Sequence, residues 1–391
     1  MPSRLFLIQR PIFLLSTVAL LAHLALCPAL WGFSSGRTFP LLPLLDLPLP
    51  AGPAWQSIQA WLSVVMLLAA VWWAGRRSVR VGLLLWLLWM VAQDLNRLQP
   101  WLYFYLLLQG ILLCNRSDQE AASGVWVRTL LAAVYAWGGF NKLTPYFAED
   151  NFPWFCTAFV WTKALGPLVW AGYAVALAEL AFAPGILWPK SRAVFRWLVP
   201  GFHLFIVLAL SPWGLNWNQV VIPWNLSMAG MVWILSRPRA ESPSPKHLFL
   251  ENTWPARATL VVFLALAWLM PALNIVHRWD EALSWKMYSN TQTEATLYRS
   301  LTDACPAFGP VWEHWAYAEG RRLLIDDWAF AELKVPAYNS GTSFRRIARY
   351  LCPCSSPADS AGLELLRVER WNKQAEKTEQ IPCSILLQAK N

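Results

Sequence analysis

The stretch from Val134 to Tyr146, VYAWGGFNKLTPY, decides how this chain is read. It is the end of an apolar helix carrying one lysine, Lys142, just before the chain breaks at Pro145. A lysine in that place has two readings. Its aliphatic stem can lie in lipid while the ammonium snorkels to the headgroups. Alternatively it faces a cavity as a base or ion partner, since a charge at the membrane centre costs about 2.5–3.5 kcal/mol on insertion scales and is kept there with a partner or a task. Gly138 and Gly139, one turn earlier, would let a second helix approach closely.

The rest of the chain sets that helix in a membrane. Of its 391 residues, 57% are hydrophobic and 14% charged, and the mean hydropathy is +0.36. Several apolar runs approach or exceed the length that marks a membrane span. Many of the 27 tryptophans stand near the ends of those runs, as interfacial anchors do. The net charge of +9 does not point to nucleic acid, because in the membrane half it falls mostly in short loops, where it orients helices.

Nine spans are expected, at about residues 11–33, 54–74, 81–93, 101–114, 127–143, 165–188, 197–210, 219–235 and 258–276, the eighth interrupted by Pro223. Basic residues place the N-terminus in the cytoplasm (Arg4, Arg10), along with the turns at Arg76, Arg77 and Arg80, at Arg116 and Arg128, at Lys190, Arg192 and Arg196, and at Arg237, Arg239 and Lys246. The C-terminus is then external. Residues 144–164 read as an aromatic, proline-broken external segment with a re-entrant character. No sequon lies in the expected external regions, which favours a bacterial inner membrane. The first apolar run lacks a small-residue cleavage site and is read as a span.

Residues 278–391 differ: charge is dense and apolar residues are spaced out. The expected fold class is therefore an all-α polytopic bundle in residues 1–277 followed by a small extracytoplasmic α+β domain in 278–391. Strands are expected at Leu323–Val335, Leu363–Trp371 and Cys383–Gln388, and a helix at Ser340–Leu351 capped by Ser340 or Thr342. Four cysteines, Cys305, Cys352, Cys354 and Cys383, allow three pairings into two bridges, each contributing about 2–4 kcal/mol. Cys352 and Cys354 are expected to pair outward, with Cys305 and Cys383.

Polar groups at membrane depth are the candidates for chemistry. Asp94, Asn96, Arg97 and Gln99 end the third span, and Asp94 with Arg97 could simply pair on one helix face. Asn141 and Lys142 end the fifth. Glu179 lies near the middle of the sixth, so it must be protonated or paired, with Lys142 a candidate partner. His203 begins the seventh; a lone histidine is more often a hydrogen-bonded structural group than a catalyst. Asn225, near Pro223, can satisfy backbone groups that the proline frees. Together these groups could line one polar cavity. There is no HExxH, CxxC or P-loop pattern.

At Tyr135-Ala136-Trp137-Gly138-Gly139-Phe140-Asn141-Lys142-Leu143 the chain resembles the vitamin K-dependent γ-glutamyl carboxylase superfamily, whose bacterial relatives carry the horizontally transferred transmembrane (HTTM) domain. Ala136, Gly138, Gly139, Lys142 and Leu143 fit its motif loosely, and Glu179 and the Phe202-His203 pair follow at about the family's distances. The resemblance covers about residues 10–240. It implies a carboxylase-like core in which Lys142 is the base that deprotonates a lipid hydroquinone, with His203 and Glu179 in support; Asp94, Arg97, Gln99, Asn141 and Asn225 are candidates for cofactor binding by their polarity at membrane depth. Two positions depart from the carboxylase: Asn141 replaces a second lysine, and Gln99-Pro100 replaces a histidine used in the carboxylation step. These departures count against glutamate carboxylation.

Two other readings stand beside it. In one, the helices are a non-enzymatic anchor that presents the stapled tail to an external protein partner. In the other, Cys352 and Cys354 cycle as a thiol–disulfide enzyme.

Overall fold

The computed structural model describes residues 8–34, 36–44, 52–114, 120–237, 253–298, 322–352, 361–368, 370–371, 373 and 376–388. Arg4, Arg116, Arg239, Lys246, Cys305 and Cys354 lie outside them. The chain forms two compact units. One is Met1–Leu26, Ala60–Trp89 and Pro100–Asn290; the other is Cys27–Gln59, Met90–Gln99 and Thr291–Asn391.

The first unit is built from α1 (Gln9–Leu26), α2 (Pro53–Trp72), α3 (Arg77–Gln93), α4 (Pro100–Cys114), α5 (Glu120–Lys142), α6 (Val169–Leu187), α7 (Arg192–Leu210), α8 (Ile222–Leu235) and α9 (Trp254–Leu264), α2 and α3 each running on into the second unit. Four of these, α1, α2, α6 and α7, together with the helical stretch Ala256–Val276, are long and apolar enough to cross a bilayer. α4 and Gln219–Leu235 are apolar but shorter. Among the described residues the chain is thus largely helical with five candidate spans, consistent with an integral membrane protein. On α2, Ile58, Trp61, Val65, Leu68 and Trp72 are all exposed, Trp72 by 80%, a surface suited to lipid.

α4 explains its own shortness. Its residues Trp101 to Leu112 are all buried, so it is the core of the bundle rather than a lipid-facing rod. Fifteen residues make a rod only about 22 Å long. Its polar groups join neighbouring helices: the Tyr105 hydroxyl lies 2.7 Å from Ser227 Oγ, and Gln109 Nε2 donates to Ser16 Oγ at 2.9 Å. Pro223 does not interrupt α8. It occupies the first turn, where its missing N–H would have had no partner. The expected external segment 144–164 is irregular helix, with a wide turn at Phe147–Asn151 leading into a short helix, Phe152–Cys156.

The second unit contains a four-stranded antiparallel sheet of β1 (Glu294–Tyr298), β2 (Arg322–Leu324), β3 (Gly362–Val368) and β4 (Glu376–Pro382), in the order β2-β1-β3-β4. With it come helices α10 (Ile325–Leu333), α11 (Gly341–Leu351) and α12 (Cys383–Gln388). α11 starts as expected, with Ser340 Oγ accepting from Ser343 N, and it buries Phe344, Ile347, Ala348 and Leu351.

Two expected strands are corrected. Leu323–Val335 is a strand only at its start, because Ile325, Trp328, Ala329 and Leu333 recur at helical spacing and all are buried. Cys383–Gln388 is helix; the strand is the charged segment before it, whose exposed edge position needs no apolar alternation. Cys352 pairs with Cys383, with Cα atoms 5.3 Å apart, one of the outward pairings expected.

Asp94, Arg97 and Gln99 belong to this unit as fasteners. Arg37 Nη1 donates to Asp94 Oδ2 at 2.8 Å, and Leu42 N and Asn96 N donate to Asp94 Oδ1. Asp94 therefore pairs with Arg37, not with Arg97. The Arg97 guanidinium donates to the carbonyls of Leu30 and Met90 at 3.0 and 2.9 Å. Gln99 Nε2 donates to Pro336 O and Tyr338 N donates to Asn96 Oδ1, so the turn after α3 binds the C-terminal segment. Glu332 adds a further clasp by accepting from the Thr38 hydroxyl and from the amides of Thr38 and Phe39.

One part-buried carboxyl gives this unit an expected dependence on pH. Burial, only partly offset by the Ala337 N–H, pushes Asp326 up to about 7. An acid raised in the folded state binds its proton more tightly there. Its stabilisation is complete below the ordinary aspartate range and is lost as pH rises through 7. Hydrogen exchange of the β1–β3 amides should slow between pH 8 and pH 5, after correction for intrinsic rates. Asp326→Asn should flatten that dependence; an unchanged profile would show that Asp326 is not its source.

Candidate functional site

The site in the first unit starts from helix packing. α5 and α6 form its most extensive helix–helix contact. A Cβ on Gly139 would stand 2.4 Å from Leu180 N and 2.7 Å from Ala176 O, so only glycine lets the two backbones meet. A Cβ on Gly138 would stand 2.5 Å from Glu179 Oε1. The two glycines thus clear the space in which the acid of α6 reaches the lysine of α5. Gly139→Ala should cost about 1–3 kcal/mol by overpacking against backbone that cannot move aside. Thermal unfolding in detergent measures this, and a loss under 0.5 kcal/mol, roughly the scale of an innocuous surface change, would mean the helices can part.

Lys142 Nζ lies 2.9 Å from Glu179 Oε2 and 3.1 Å from Oε1, and it also reaches Gly138 O at 3.4 Å. Both side chains are only 9% exposed. Of the two readings of this lysine, the structure has the buried, paired one. Among the described residues Glu179 Oε2 receives no hydrogen bond besides this ion contact.

A second polar group comes from three helices. Asn225 Nδ2 donates to Val221 O at 2.9 Å, which turns its Oδ1 toward His203 Nδ1 at 2.8 Å. His203 Nε2 lies 2.7 Å from the Tyr135 hydroxyl. The network assigns the protons. An oxygen faces Nδ1, so Nδ1 carries hydrogen; in a neutral imidazole Nε2 is then the acceptor, and Tyr135 donates to it.

Both groups open on one cavity of about 360 Å3, lined by Tyr135, Lys142, Glu179, His203 and Asn225 among an otherwise apolar and largely aromatic wall. Phe147, Phe152, Phe155, Trp161, Phe202, Phe205 and Trp224 are its aromatic members on the first-unit helices and the 144–164 segment. Met287 and Tyr288 close one side. Their segment is held by asparagines: Asn141 Nδ2 donates to Ser284 O, Asn151 Nδ2 to Tyr288 O, and Asn218 Nδ2 to the Tyr288 hydroxyl. Trp285 and Tyr288 both take positive φ in this segment, at 56°.

The structure therefore brings together Lys142, Glu179, His203 and Asn225. Asn141 serves the closing segment and does not line the cavity, and neither do Asp94, Arg97 and Gln99. Sequence reasoning missed Tyr135. The signal was its place seven residues before Lys142, two turns back on the same helix face. Among the described residues, no group of His, Cys, Asp and Glu could hold a metal ion. Comparisons with family models, curated proteins and solved structures find no match to this chain.

Proposed function

We propose that the chain is a multi-pass HTTM-type membrane protein whose cavity takes a lipid-soluble hydroxyl compound, a lipid quinol or hydroquinone fitting best. In this reading nine helices span a bacterial inner membrane, the N-terminus is cytoplasmic and the C-terminal segment 278–391 is external. The observation that carries the reading is a buried ion pair, Lys142 and Glu179, facing an aromatic cavity of ligand size.

The chemistry proposed is proton abstraction. The ammonium directs its hydrogens to Glu179 and Gly138, so the base is the pair rather than a free amine. A proton passing from Nζ to the carboxylate leaves Lys142 as a neutral amine. That amine accepts the ligand's O–H proton, and the ligand remains as an anion beside the new ammonium. The apolar wall strengthens this attraction by excluding water.

The test is reconstitution of the full chain in liposomes with a naphthohydroquinone and O2. Wild type should consume the hydroquinone, and Lys142→Ala should lose about 100-fold or more, the usual scale for a general base. Equal turnover, or none in either, removes the enzymatic reading. The rival, a non-enzymatic anchor presenting an external partner-binding unit, is favoured by one observation: the ion pair is already closed on itself.

A further inference from the structure

Tyr135 determines which chemical form the cavity accepts, and this inference rests on the cavity being a ligand site. The chain of protons runs one way. Val221 O fixes the Asn225 amide, since a flip would set Oδ1 against a carbonyl at 2.9 Å. Asn225 Oδ1 then fixes hydrogen on His203 Nδ1, leaving Nε2 to take the tyrosine hydrogen. Among the described residues the Tyr135 hydroxyl has no other hydrogen-bond partner, and Tyr135 lines the cavity. Its hydrogen is committed to the histidine, so toward the cavity it can only accept.

From this geometry we infer that the site selects ligands that bring a hydrogen-bond donor, phenols and hydroquinones, over the same skeletons in ether or carbonyl form. A carbonyl oxygen placed there would meet the lone pairs of Tyr135, and a buried polar group without a partner is costly. A hydroxyl would complete a four-member relay from ligand to Tyr135, His203 and Asn225. Tyr135 is thereby a specificity-determining residue, and His203 and Asn225 are positioning residues that act through it.

The experiment measures binding to the full chain in detergent, by quenching of tryptophan fluorescence, for two probes of nearly equal size: para-nonylphenol and its methyl ether, para-nonylanisole. Wild type should prefer the phenol by about tenfold, the worth of one buried hydrogen bond. Tyr135→Phe should bring the ratio near one. His203→Leu frees the Tyr135 hydrogen to point into the cavity and should raise affinity for the ether, a gain that misfolding cannot mimic. Equal binding of both probes to wild type overturns the selectivity inference and leaves the cavity reading intact. Binding of neither probe overturns both. A phenol preference that survives in Tyr135→Phe and in His203→Leu assigns selectivity elsewhere and also overturns the inference.

Discussion

Lys142→Ala is expected to destabilise the first unit by about 3–5 kcal/mol, the usual cost of removing one partner from a buried ion pair. The substitution leaves Glu179, buried against Gly138 and the aromatic cavity, with its cation gone. The loss measures the abandoned charge, not the worth of the pair. Replacing both partners by apolar residues of similar volume, Lys142→Met with Glu179→Leu, should recover most of it and could exceed wild type. Thermal unfolding of the single and double variants in one detergent gives the coupling directly. If Lys142→Ala loses less than about 1 kcal/mol, the value of an exposed pair, then water reaches the pair and the sheltered-base chemistry fails with it. Hydroquinone turnover by the same variants separates chemistry from anchoring. The double variant should be folded yet inactive toward hydroquinone if the pair is the base.

Cys383→Ser is expected to weaken the second unit by about 3–4 kcal/mol. Cys352 and Cys383 enclose a separation of 31 residues, and chain-entropy arguments put loops of this size between the roughly 3 kcal/mol of a short loop and the 4.7 kcal/mol of a hundred-residue one. The bridge ties the end of α11 to the start of α12, directly after β4. Hydrogen exchange should accelerate in β3 and β4 while the α5–α6 pair is unaffected. Cys352→Ala with Cys383→Ala controls for exchange onto a free thiol and should give the same loss. An unchanged β3–β4 profile in both variants would show that the sheet is held by its core alone. Under the anchor reading, partner binding is lost here and kept in Lys142→Ala; under the enzymatic reading the pattern of activity is the reverse.

Parts of this were legible from local chemistry. Apolar length and flanking arginines marked where helices lie, because each depends only on neighbours in sequence. Gly138-Gly139 announced a close helix approach, and Glu179 announced the need for a partner. The assignment of Asp94, Arg97 and Gln99 to the ligand cavity came from treating polarity near a helix end as one class. Their partners are Arg37, Leu30 and Pro336, far along the chain, and nothing local distinguishes a fastener from a ligand group. Leu323–Val335 read as strand because apolar density was weighed above its helical spacing.

What the chain alone determined is a helical, lipid-compatible protein with an ionisable pair of opposite sign in its apolar segments. The free energy of transferring each segment is a sum over its own residues, so composition suffices. Only the tertiary structure decided that Lys142 meets Glu179, 37 residues away, and that Tyr135, His203 and Asn225 form a directed relay. Those meetings depend on the rotation of each helix about its axis, which sets contacts of 2.7 to 3.1 Å. Such distances are set by all the packed neighbours at once and by no single stretch of sequence.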